Sequence, residues 1–99
     1  MSGPLRGMKV LDLSRLLPGP YCTMILGDLG AEVLKIEDLD RGDYMRWWGP
    51  RVGEESAMFL MHNRNKKSMK LNLKEEKGRS IFLTLARQQD VVLEGFRPG

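Results

Sequence analysis

The stretch MKVLDLSRLLPGPYCTMILGDLGAEVLKIE, residues 8–37, decides the fold. Met8-Lys9-Val10-Leu11-Asp12-Leu13 is short and rich in apolar side chains, follows the turn-forming Gly3-Pro4 and Gly7, and reads as a buried strand. Pro18-Gly19-Pro20 breaks it off, and Pro20 suits a first helical turn, where a missing N–H is no loss. Tyr21, Met24, Ile25 and Leu29 then recur at helical spacing up to Gly30, a residue able to take the left-handed conformation that stops helices. Val33, Leu34 and Ile36 mark a second strand so close behind that strand, helix and strand form a βαβ unit with a right-handed crossover.

Downstream, residues 38–55 are polar and weakly periodic, and are expected to form a long loop in which Trp47 and Trp48 dock. Residues 56–62 suit a short helix capped by Ser56, with Met58, Phe59, Leu60 and Met61 inward. Residues 68–73 alternate polar and apolar as a strand with one wet face does. Residues 75–88 begin with acids, as the helix dipole favours, and aim Ile81, Phe82, Leu85 and Ala86 at a core. Residues 90–94 are expected to form another buried strand. The order βαβ, loop, short helix, βαβ predicts an α/β fold: a parallel, doubly wound sheet with flanking helices. The chain stops directly after a strand, where such folds continue into a further helix, so the sheet is expected to be incomplete.

Ninety-nine residues, 41% apolar and 29% charged, fit one soluble unit and exclude a disordered tail or a disulfide scaffold. No apolar run reaches the roughly 18 to 20 residues of a membrane span, and no signal-peptide layout opens the chain; a cytoplasmic setting without membrane partners is expected. Cys22 lies in the apolar helical pattern, where a buried, inert thiol is expected. The net charge of +3 is uneven: residues 1–62 carry 7 Lys/Arg against 9 Asp/Glu, residues 63–99 carry 9 against 4. The basic last third attracts polyanions in general, whether nucleic acid, acidic lipid or a phosphorylated cofactor.

Ligands of open α/β sheets sit beyond the carboxyl ends of the strands. The first such segment is Ser14-Arg15-Leu16-Leu17-Pro18-Gly19-Pro20, which has neither a dinucleotide fingerprint nor a phosphate-loop motif. The second, Glu37 to Arg46, places Glu37, Asp38, Asp40 and Asp43 within seven residues but does not satisfy the calcium-loop pattern, and a solvated turn is expected. The third gathers Arg64, Lys66, Lys67, Lys70 and Lys74; the fourth, Glu94 to Gly99, offers Phe96 for stacking and Arg97 for a phosphate. One histidine, His62, and one cysteine make no zinc site, and His62 is expected to be structural. No metal is expected.

In order and spacing, these pieces resemble the CoA-transferase class III family, which includes formyl-CoA and carnitine-CoA transferases and α-methylacyl-CoA racemases. The resemblance rests on Pro4-Leu5-Arg6-Gly7, Val10-Leu11-Asp12-Leu13-Ser14-Arg15, Gly19-Pro20, Asp28 to Glu37, Gly42-Asp43 with Arg46, and Asn63 to Ser68. It continues through Leu71-Asn72-Leu73-Lys74, Asp90-Val91-Val92 and Glu94-Gly95-Phe96-Arg97-Pro98-Gly99. It implies that residues 1–99 are the N-terminal, Rossmann-like, coenzyme A-binding segment of a larger domain, in an interlocked homodimer acting on acyl-CoA and a carboxylic acid. It implies coenzyme contacts from Leu16, Leu17, Pro18, Leu71, Lys74, Phe96 and Arg97. It also implies that the catalytic aspartate of a transferase, or the His and Asp of a racemase, lies beyond Gly99, leaving this segment no catalytic residue of its own. The reading from another class is a small basic nucleic-acid-binding module gripping through residues 64–74, against which stands the lack of aromatics interleaved with the basic run.

Overall fold

The computed structural model describes residues 3–15, 18–39, 42–47, 50–52 and 55–95. Strand β1 (Lys9–Asp12), helix α1 (Pro18–Asp28) and strand β2 (Glu32–Glu37) form the expected βαβ unit. Gly30 follows α1 at φ 109°, a backbone that side chains rarely tolerate, and turns the chain directly into β2. A 3-10 turn (Tyr44–Trp47), a two-residue hairpin of β3 (Arg51–Val52) with β4 (Glu55–Ser56), and helix α2 (Ala57–His62) follow. Strand β5 (Lys66–Lys70), helix α3 (Glu76–Ala86) and strand β6 (Val91–Leu93) complete the described chain.

The main sheet has the order β5-β2-β1-β6, parallel throughout. That is the order of the first four strands of a doubly wound sheet, so the predicted fold class stands. In β1 and β2 successive side chains point to opposite faces. Leu11, Leu13 and Ile36 join Leu71 on one face, where Phe82, Leu85 and Ala86 of α3 pack against them. On the other face Val10, Val33 and Ala31 pack with Leu26 of α1. Lys35, in the same strand as Val33, is only 1% exposed.

Several local expectations change. Cys22 is exposed, because α1 turns Pro20, Thr23, Met24 and Gly27 inward and leaves Tyr21, Ile25 and Leu29 outside. Gly27 brings the helix close enough that a side chain there would touch Val33. Ile81 faces outward on α3, and β6 is an edge strand with Val91 and Val92 exposed. The fifth strand starts at Lys66, two residues before the alternating pattern, since pairing with Val33 already begins there. In the loop after β2, Met45 is buried and Trp47 is about half exposed at 52%; Trp48 lies outside the described residues. Ser56 caps α2 as expected, its Oγ accepting from the Phe59 N–H at 3.4 Å. His62 is structural, with Nδ1 2.9 Å from the Met58 carbonyl and its ring beside Tyr21. Among the described residues no helix is long and apolar enough to cross a membrane.

Candidate functional site

Beyond the carboxyl ends of β1, β2 and β5 the chain encloses a cavity of about 540 Å³. Leu13 and Arg15 enter it after β1, Ile36 to Leu39 at the end of β2, and Leu71 to Lys74 after β5. Its floor is apolar because these positions continue the face of the sheet that α3 covers. Its rim is polar, with Arg15, Asp38, Asn72 and Lys74. Arg15 Nη1 lies 3.6 Å from Asp38 Oδ2, a half-exposed ion pair. Asp38 Oδ1 meanwhile accepts from the Gly42 N–H at 2.9 Å, tying down the loop.

The turn after β5 is held by side chains bonded to its backbone. The Lys74 N–H donates to Asn72 Oδ1 at 3.0 Å, and Arg79 Nη1 donates to the Lys74 carbonyl at 3.2 Å. Gly78 makes this possible: a Cβ there would sit 1.8 Å from the Asn72 carbonyl oxygen, so only glycine lets α3 come up against the turn.

Behind the rim, on the α1 face, runs a buried set of charges. Asp12 accepts from the Ser14 N–H at 2.9 Å, from Ser14 Oγ, from Thr23 Oγ1 at 2.6 Å and from Lys66 Nζ at 3.3 Å. Burial pushes its pKa up, but these donors together with Lys35 hold it below the usual carboxylate value. Lys35 Nζ reaches Asp43 Oδ2 at 2.8 Å and donates to the Ser14 carbonyl at 3.0 Å. Glu37 accepts a two-pronged bond from Arg46 at 2.7 Å on each oxygen, plus bonds from the Asp43 N–H and Ser68 Oγ. Despite burial, those partners bring its pKa down to about 2. The Arg46 guanidinium also lies 3.9 Å from the centre of the Phe59 ring, so one side chain joins β2, the 3-10 turn and α2. Burial drives Lys66 down to about 8 against the opposing pull of Asp12.

Of the residues expected to contact a coenzyme, Leu71 and Lys74 line the cavity together. Pro18 is the exposed first residue of α1 and does not line it. Leu16, Leu17, Phe96 and Arg97 lie outside the described residues. Sequence reasoning missed Arg15 and Asp38 as rim residues; extending the period of two past Leu13 and Ile36 finds both. The cationic run divides: Arg64 pairs with Asp28 at 2.6 Å and Lys66 is drawn inside, leaving Lys67, Lys70 and Lys74 exposed. The solvated turn expected after β2 holds only in part: Asp38 is exposed, Asp43 is fully buried, and Asp40 lies outside the described residues. A larger cavity of about 930 Å³ opens at the opposite, amino ends of the strands, beside Gly27, Gly30, Lys9 and Lys67. Of the described residues expected to hold a coenzyme, none lines it.

Comparison with known proteins agrees with this geometry. The chain is 54% identical over 97 residues to succinyl-CoA:glutarate CoA-transferase of Homo sapiens, covering 97% of this chain and 22% of that protein. It is 50% identical over 97 residues to acetyl-CoA:oxalate CoA-transferase of Acetobacter aceti, covering 98% of this chain and 25% of that one. The crystal structure of a CAIB/BAIF family protein from Brucella suis superposes with a TM-score of 0.88 at 40% identity, over 97% of this chain and 26% of that one. The chain thus spans about a quarter of the length of the relatives it matches. Residues 5–99 match the description CoA-transferase family III, and the chain belongs to that family.

Proposed function

We propose that the chain forms the nucleotide-holding part of an acyl-CoA:carboxylate CoA-transferase, with coenzyme A as the thioester carrier and a carboxylic acid as acceptor. The observation that carries this reading is the cavity at the carboxyl ends of β1, β2 and β5, with an apolar floor of Leu13, Ile36, Leu71 and Leu73 under a rim that bears Arg15 and Lys74. An apolar floor suits an adenine ring and the cations suit its phosphates. Leu71 and Lys74, together with Leu16, Leu17, Pro18, Phe96 and Arg97, are the proposed coenzyme contacts.

The nucleophile is to be sought outside residues 1–99. Asp12 and Asp43 are buried against lysines, and Asp28 is engaged by Arg64. A carboxylate that attacks a thioester must reach its substrate, and the first two are sealed in the interior. Residues 1–99 act as one unit of a larger Rossmann-like domain, in a cytoplasmic homodimer of interlocked subunits. The test is transfer of CoA from succinyl-CoA or acetyl-CoA to a panel of dicarboxylic acids by the intact protein, followed by product mass. Formation of a new acyl-CoA is expected. A protein that binds neither CoA nor its thioesters overturns the reading.

A further inference from the structure

At the amino ends of the strands the sheet opens into the cavity of about 930 Å³. Lys9, the first residue of β1, stands beside Glu32 of β2, and Lys67 of β5 stands beside Leu34. Residues side by side in a parallel sheet share a face, and Leu11 and Leu34 mark this face as the one that α3 packs on. With neighbouring strands about 4.8 Å apart, Lys9 and Lys67 lie roughly 12 Å from each other across the cavity, with Leu34 between them. Arg6, in the turn before β1, is the third cation of the lining, and Glu32 is the one acid among the described lining residues. None of the three cations is spent on the fold. Among the described residues Arg6, Lys9 and Lys67 make no ion pair and no side-chain hydrogen bond, whereas Lys35, Arg46, Arg64 and Lys66 are all paired. Nor do they cap the helix ends nearby, whose carbonyls already accept from the N–H groups of Gly30, Ala31, Gln88 and Gln89. Asp90, which does not line the cavity, has one oxygen engaged by the Lys9 main-chain N–H at 2.8 Å.

From this arrangement we infer a second binding site, separate from the coenzyme cavity, for a compact anion carrying two or more charges. The volume lies in the range of small-ligand sites. Three unpaired cations around one acid leave the hollow positive, and the gain from filling it rises with the charge of the ligand. Arg6 offers a planar fork for two oxygens of one acidic group, the two lysines act as point charges from either side, and Gln89 adds an amide. Among the described lining residues none is aromatic, so nothing stacks on a base, and a nucleotide or a nucleic acid is the poorer fit. A diphosphate and a tricarboxylate share the required chemistry. The hollow lies at the opposite ends of the strands from Arg15 and Lys74, so it fills whether or not the coenzyme cavity is occupied.

Calorimetric titration of inorganic pyrophosphate, and in a second arm of tricarballylate, into the intact protein with coenzyme A present in excess tests this. At low salt at least one of the two is expected to bind, and the tighter of them tells a phosphate ligand from a carboxylate one. Lys9→Gln and Lys67→Gln are each expected to weaken that binding by about threefold to fivefold, the scale of one exposed charge, and Glu32→Gln to tighten it by a similar factor. All three side chains are exposed, so the variants keep the fold. Lys74→Gln, at the other end of the strands, is expected to leave it unchanged. Failure of both anions to bind, binding indifferent to Lys9→Gln and Lys67→Gln, or binding weakened by Lys74→Gln instead overturns the inference. The coenzyme reading survives each of these results, because it rests on the other cavity.

Discussion

The two faces of the central sheet are built from the same strands on opposite chemistry. The α3 face packs Leu11, Leu13, Ile36 and Leu71 against Phe82 and Leu85, an ordinary apolar layer. One residue along each strand, the α1 face carries Asp12, Lys35 and Glu37 and receives Lys66 and Ser68 from β5. Apolar packing is non-directional and tolerates sliding, whereas buried charges fix partner and distance. The difference teaches where each kind of interior is useful. The apolar face continues into the cavity floor, and the charged face locks the loop after β2, whose Asp38 stands on the rim.

The sharpest way to break this comparison is Lys35→Met. It takes from buried Asp43 the lysine that lies 2.8 Å away, and disrupting one side of a buried pair costs about 3–5 kcal/mol. Urea unfolding of the intact protein measures it, and adding Asp43→Asn is expected to recover a large part of the loss. A variant as stable as wild type would show that the charges are ornamental. The apolar face is expected to be more forgiving: Leu85→Ala, at a partly buried site, costs about 1–2 kcal/mol, below the range for fully buried leucines. Acid probes the charged face a second time. Glu37, whose pKa falls from 4.5 to about 2, contributes stability that is complete above pH 4.5 and is lost as pH falls toward 2. Melting temperatures between pH 2 and 5 should slope accordingly, and Glu37→Gln should flatten that slope.

How much of this was legible in the sequence follows the same division. Strand and helix periods in residues 8–37 gave the βαβ unit because backbone alternation is local, and Ser56 announced its helix through local capping chemistry. The charged face was hidden because Lys35 and Glu37 read as polar interruptions of a strand, and only register with Ser68 and Asp12 turns them into partners. Cys22 and Ile25 looked inward for a related reason: helical spacing gives a stripe but not which side a neighbour occupies, and the neighbour here wanted Thr23 and Gly27. Of the cavity lining, Leu71 and Lys74 were named from the sequence, while Arg15 and Asp38, which the strand period continued past Leu13 and Ile36 reaches, were not.

The two borders of the sheet differ in a way that bears on how it grows. Strand β5 presents Lys67 and Lys70 to solvent, and lysine on an outer strand discourages another strand from docking. Strand β6 presents Val91 and Val92 instead, with no charge within the strand. Extension of this sheet is therefore polarised: one margin repels recruits, the other welcomes them, and any added strand joins beside β6.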